Sequence, residues 1–200
     1  MGTGRVKAKV KRWRTVNTSA ELSHANWVLL ENAEQKREGS FYECLTTIMV
    51  AAFKFEAYLN HVGKALFPTF WSEMERLPHK QKRKIICAHL HIVEVDSDRP
   101  WQTLGDLFRF RNCVAHGKSE ILDPPQVVEC GEIEDLRRKR PLMEWEERCT
   151  IEFARRAYED TEAIMRQIHL AAGLDEADLR RSGHSYTISD VKNVGSGSEE

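Results

Sequence analysis

Between Leu104 and Lys118 the chain reads LGDLFRFRNCVAHGK, and Arg109, Arg111, Asn112 and His116 fall within eight residues of one another there. An imidazole exchanges protons near neutral pH. A guanidinium grips phosphate through a fixed, bidentate fork, and an asparagine can orient either group. Together these residue types suit RNA cleavage in which the ribose 2′-hydroxyl is the internal nucleophile. That reaction needs one group to move a proton and a cation over the phosphoryl oxygens. The same residues could also cap a helix end and bond neighbouring carbonyls, and at this point both readings stand.

The spacing sets a geometric condition. At about 100° per residue, Arg109, Asn112 and His116 lie nearly on one line of a helix, whereas Arg111 sits about 140° around from His116. One chain would need a long arginine arm or a distorted last turn to join Arg111 to His116; two facing copies of the helix would do so more easily. Gly117 follows His116 at once and suits a helix end.

Other chemistries find less support. Cys87, His89 and His91 cluster, but no CxxC, HExxH or second group of ligands accompanies them, so no metal is expected. Cys113 stands three residues before His116 without an evident third, orienting residue, and reads as a core cysteine. No glycine-rich phosphate loop or GxSxG elbow occurs, and no cofactor is expected.

Helical periodicity dominates the elements that must carry these residues. Thr18 with Glu21 forms a capping box that opens a first helix. Phe41 to Phe67 is the strongest helix, with Cys44, Ile48, Ala51, Phe55, Leu59, Val62 and Leu66 as its stripe. Glu56 lies on the flank of that stripe, where burial calls for a partner, and Arg111 or Asn112 would serve. After Pro78, the run Lys80, Lys82, Arg83 and Lys84 places cations at a helix start, against the helix dipole. That conflict fits a phosphate-facing patch or a solvated charge run. Trp101 to His116 forms the next helix. Residues 119–133 read as a loop or small hairpin, and Pro141 to Ala172 as one long last helix.

Three regions follow: a basic arm over 1–17, a helical domain over 18–172 and a polar tail over 173–200. In the arm, Lys7, Lys9 and Lys11 alternate with Ala8 and Val10, which fits an edge strand or a flexible segment equally. The tail is expected to fray, with a short strand in HSYTISDV.

The chain has 200 residues, a net charge of −1, 41% hydrophobic and 30% charged residues, which suits one sizeable core. Near-zero net charge argues against a protein coated in nucleic acid but allows a local basic site. No apolar run approaches transmembrane length. The basic N-terminus lacks the hydrophobic segment of a signal peptide. Five scattered cysteines then read as reduced thiols, and the expected location is cytoplasmic.

Arg111-Asn112-Cys113-Val114-Ala115-His116 resembles the Arg-x4-6-His signature of the HEPN superfamily, in its Arg-Asn-x3-His form. FKFEAYLNHVG, from Phe53 to Gly63, is similar to the first long HEPN helix, in which an acidic residue often accompanies the motif. The resemblance implies an all-α bundle of four to five helices, here with a short irregular or hairpin insertion and frayed termini. It further implies a homodimer through the motif-bearing helices, with Arg111 and His116 of both chains lining one cleft. Many members are metal-independent endoribonucleases of toxin–antitoxin or antiviral defence systems, so RNA would be the substrate and an antitoxin or defence protein a partner. Carried over, Arg111 and His116 are the catalytic pair, supported by Asn112, Glu56 and Arg109. Arg109 also satisfies the broader spacing to His116. Lys118, Lys80, Lys82, Arg83 and Lys84 would hold flanking phosphates. Toxins of one branch have a tyrosine where Lys118 stands. Other members have lost catalysis and serve as binding modules, which is the alternative reading.

Overall fold

A computed structural model describes residues 6–36 and 38–193. The elements in order are β1 (Val6–Thr15), α1 (Thr18–Gln35), α2 (Phe41–Leu66), α3 (Trp71–Met74), α4 (His79–His89), α5 (Trp101–Ala115), α6 (Ile133–Arg138), α7 (Glu144–Glu147), α8 (Ile151–Ala171), a 3-10 turn (Glu176–Leu179) and β2 (Gly183–Asn193).

Helix α2 is the axis of the core. Its Cys44, Ile48, Ala51, Ala52, Phe55, Leu59 and Val62 are wholly buried, and α1, α4, α5 and α8 pack around it. A face this wide needs several partners, as its broad apolar stripe implies. Gly63 allows the closest approach: a Cβ there would stand 2.1 Å from the Trp71 ring. The α8 face supplies Phe153, Ala154, Ala157, Ile164 and Ile168 to the same core. Lys54 is also enclosed. Its ammonium meets Glu162 at 2.9 Å and lies 4.6 Å from the centre of the Tyr158 ring. Burial pushes its pKa down to about 8, against the raising effect of Glu162.

The expected bundle of four to five helices with frayed ends is overturned in two respects. The described residues hold eight α-helices, because short turns form at α3, α6 and α7. The single last helix expected over 141–172 is divided: Thr150 is extended, and its side chain accepts a hydrogen bond from the Phe153 N–H at 3.2 Å, starting α8 afresh. Residues 6–15 and 183–193, in turn, form a sheet, while the fraying expected of 194–200 lies outside the described residues. β1 and β2 pair antiparallel from Val6 opposite Asn193 to Thr15 opposite Gly183, with an irregularity between Lys7 and Lys9. Period-two alternation in the arm and the β-branched residues of the tail are strand signals that only the pairing completes.

The cap of α1 is also one residue earlier than the capping box suggests. Asn17 accepts from the Ala20 N–H at 3.3 Å and from Ser19 Oγ at 2.7 Å. Its amide donates to the Asp178 carbonyl at 3.0 Å, tying the foot of β1 to the 3-10 turn before β2. Residues 117–132 form no helix or strand, and no hairpin closes there. No helix among the described residues is long and apolar enough to cross a membrane.

Candidate functional site

Helix α5 buries Leu104, Leu107, Phe108 and Phe110 and leaves Arg109, Asn112, Cys113 and His116 exposed. The apolar residues fix the helix's rotation, so the polar ones share an outer face. Arg109, Asn112 and His116 accordingly line one open groove with Cys113, Gly117 and Lys118, faced by the 140–146 segment. His116 ends the helix; its N–H donates to the Asn112 carbonyl at 3.0 Å. Cys113, read above as a core residue, is exposed on this face.

The groove is electrostatically mixed. Arg109, Lys118 and Arg140 stand against Glu120, Glu144 and Glu146. Two of those carboxylates are occupied: Glu146 accepts from Arg140 at 2.7 Å and from the Met143 N–H at 2.9 Å, and Glu144 pairs with Arg148 at 3.4 Å. Bonds from Arg140 and the Met143 N–H hold the Glu146 carboxyl below its ordinary pKa, the backbone bond contributing most. At the α5 end, Lys118 and Glu120 have no ion-pair partner among the described residues.

Asp106 organises that end. Arg109 reaches it at 2.9 Å, Arg148 at 3.6 Å and Arg156 at 3.9 Å. One carboxylate cannot neutralise three guanidiniums, and Arg148 and Arg156 also lie over the Phe153 ring at 5.8 and 5.1 Å from its centre. Asp106 was readable at helical spacing from Arg109. Its two further arginines come from α8 and the end of α7, which no local pattern announces.

Arg111 points elsewhere. Its Nη2 donates to Glu56 Oε2 at 3.1 Å, and its guanidinium lies 5.5 Å from the centre of the Phe108 ring. Within one chain it lines neither the His116 groove nor the neighbouring one. Arg111 and His116 thus serve different sides of α5, the direction in which their spacing on a helix points. On the Arg111 side stands His79, which sequence reasoning missed. Its ring stacks on Phe108 with 3.5 Å between centres and 8° between planes. Burial lowers its pKa to about 4, with Arg111, Arg83 and Lys82 adding to the effect and Glu56 opposing it. The link between α2 and α4 brings it there, and a lone His after Pro78 carries no sequence signal of that contact.

The basic run of α4 is split by burial. Lys82 is 2% exposed and donates to Asn60 Oδ1 at 2.8 Å, and Arg83 is 5% exposed and pairs with Glu94 at 2.7 Å. Both are turned inward, which corrects the expectation that they face flanking phosphates. They are held there because a buried cation needs a partner. Lys80 and Lys84 remain exposed, and Lys80 borders a second groove shared with His79, Arg109 and Asn112. Among the described residues, no three His, Cys, Asp or Glu side chains gather as a metal-holding group.

Neither family models nor curated proteins nor solved structures give a match to this chain. The HEPN resemblance therefore rests on the motif residues themselves.

Proposed function

We propose that the chain is a metal-independent endoribonuclease whose reactive edge is the groove face of α5. The observation that supports this reading is the convergence of Arg109, Asn112 and His116 on one open groove. His116 takes the 2′-hydroxyl proton, and the 2′-oxygen attacks phosphorus as the bond to the 5′-oxygen breaks. The imidazolium so formed returns its proton to the leaving 5′-oxygen, directly or through water. The products are a 2′,3′-cyclic phosphate and a 5′-hydroxyl. Arg109, held by Asp106, neutralises charge developing on the phosphoryl oxygens. Asn112 orients the phosphate, and Lys118 and Lys80 hold its neighbours. Arg111 is then a positioning residue that fixes α5 against α2 through Glu56.

The proposal includes a homodimer. Residues 117–132 border the groove through Glu120 and Leu122 and expose Ile121, Val127 and Val128, apolar side chains that a second copy would cover. A defence-system or antitoxin partner follows only from the family resemblance.

A second reading, a binding module without catalysis, is favoured by the pairing of Arg111 with Glu56, which keeps the motif's own arginine from His116. The test is incubation of mixed RNAs in EDTA with the wild type and with His116→Ala, Arg109→Ala and Arg111→Ala. The expected result is chelator-resistant cleavage that falls at least 100-fold in His116→Ala and Arg109→Ala. Arg111→Ala should instead lower stability by about 1–2 kcal/mol, between exposed and buried ion-pair values. Equal background cleavage by all four proteins would discard the enzyme, and binding without cleavage would establish the module. Mixing Arg111→Ala with His116→Ala separates the arginines: recovery of about a quarter of wild-type activity would mean that Arg111 acts across a dimer.

A further inference from the structure

The β1–β2 ribbon stands apart from the core. Every ribbon residue whose surface is described is exposed except Ala8, which is half-buried, so both faces meet solvent. A two-stranded ribbon in water is marginal by itself, and here it displays Val6, Val10, Trp13, Tyr186, Ile188 and Val191.

Its charge is lopsided. β1 carries Lys7, Lys9, Lys11, Arg12 and Arg14 with no acid, and β2 adds Lys192 and Asp190. Six cations less one carboxylate give the ribbon +5, whereas the whole chain is −1, which leaves −6 for everything else. Lys9 pairs with Asp190 at 2.8 Å and Arg14 with Glu21 of α1. Among the described residues, Lys7, Lys11 and Arg12 have no ion-pair partner. Protecting a strand edge from aggregation takes a charge or two of either sign; a run of five cations without an acid exceeds that need.

The register places an aromatic ring beside the cations on each face. Residues directly opposite in an antiparallel pair share a face. Lys9, Lys11 and Trp13 oppose Ser189, Thr187 and Ser185, a row of hydroxyls facing a row of cations and one indole. On the other face Arg12 opposes Tyr186. A ring on which an unstacked base can lie, with cations spaced along the strand beside it, is the pattern of a single-strand grip. The paired bases of a duplex offer no such face, and the deep, narrow major groove of A-form RNA resists side-chain entry.

We infer that the β1–β2 ribbon binds single-stranded RNA, with Trp13 and Tyr186 stacking on bases and Lys7, Lys11 and Arg12 holding phosphates. The choice of RNA rests on the ribonuclease reading; the grip itself does not depend on cleavage. The test is fluorescence anisotropy of a labelled, non-cleavable 2′-O-methyl RNA oligomer, titrated with full-length protein at several salt concentrations. The Lys7→Gln/Lys11→Gln/Arg12→Gln protein should bind at least tenfold more weakly, with a log–log salt slope shallower by about two. Trp13→Ala should weaken binding about tenfold at unchanged slope. These side chains are exposed, so far-ultraviolet circular dichroism should confirm an unchanged fold. Wild-type affinity and slope in both variants would overturn the inference. So would charge-dependent binding to phosphatidylserine vesicles without any to the oligomer. Because the oligomer cannot be cut, a failure of the ribonuclease reading in the EDTA assay leaves this result intact.

Discussion

At the scale of single residues, Phe108 divides the work of α5. Its ring is stacked by His79 and approached by the Arg111 guanidinium, while Arg109, Asn112 and His116 emerge on the groove side. His79 gives this arrangement a pH signature. Its folded pKa is lowered from the ordinary 6.5 to about 4, chiefly by burial. Between those values the unfolded chain binds the proton and the folded one does not, so stability rises with pH across the window. The contribution is fully present above 6.5 and is lost as pH falls towards 4. His79→Phe preserves an aromatic stack without the titration. Urea denaturation from pH 7 to pH 4 should show a shallower loss of stability in that variant than in the wild type. Parallel pH profiles would remove His79 from the account. What the sequence could convey here was the one-line alignment of Arg109, Asn112 and His116, which follows from helix geometry alone. The partners of Phe108 and Asp106 were hidden because they arrive from α4, α7 and α8, and contacts between distant segments leave no local spacing to read.

At the scale of elements, the long helices were legible and their ends less so. The expected 41–67 and 101–116 helices become Phe41–Leu66 and Trp101–Ala115, since broad apolar stripes specify a helix while caps and local turns set its bounds. The break before α8 was missed because the apolar periodicity continues through it; Thr150 as a cap residue was its only signal. Gly63 was passed over as well. In the last turn of α2 it reads as a weak helix position, yet it is the point where the Trp71 ring lies against the backbone. Gly63→Ala would raise intrinsic helix propensity but drive a methyl into that ring. Overpacking of this kind costs about 1–3 kcal/mol, more than the roughly 1 kcal/mol that alanine gains over glycine in a helix. Thermal denaturation should therefore show a lower midpoint for Gly63→Ala. A raised midpoint would mean that Trp71 moves aside without cost.

At the scale of the whole molecule, two surfaces lack a counterpart among the described residues: the basic ribbon and the exposed apolar side chains of residues 117–132. Their chemistry differs, and so do the partners proposed for them. The ribbon was half-visible, since alternation in the arm and the HSYTISDV stretch of the tail each allowed a strand, but only long-range pairing turns two ambiguous segments into one sheet. In residues 117–132 two consecutive prolines, Pro124 and Pro125, oppose a regular element and leave valines in solvent. A second copy pairing along this segment would shield those valines and cover the groove that Glu120 and Leu122 border. Charges introduced there should repel across a two-fold axis, because each substitution meets its own image or a near neighbour. Sedimentation equilibrium at micromolar concentration should give twice the chain mass for the wild type and the chain mass for Val127→Glu/Val128→Glu. The circular dichroism of the two proteins should coincide, since these side chains contribute nothing to the core. A wild-type protein that sediments as a strict monomer would leave these valines without their proposed partner. It would also confine the reactive edge to what one chain provides, with Arg109 in place of Arg111 beside His116.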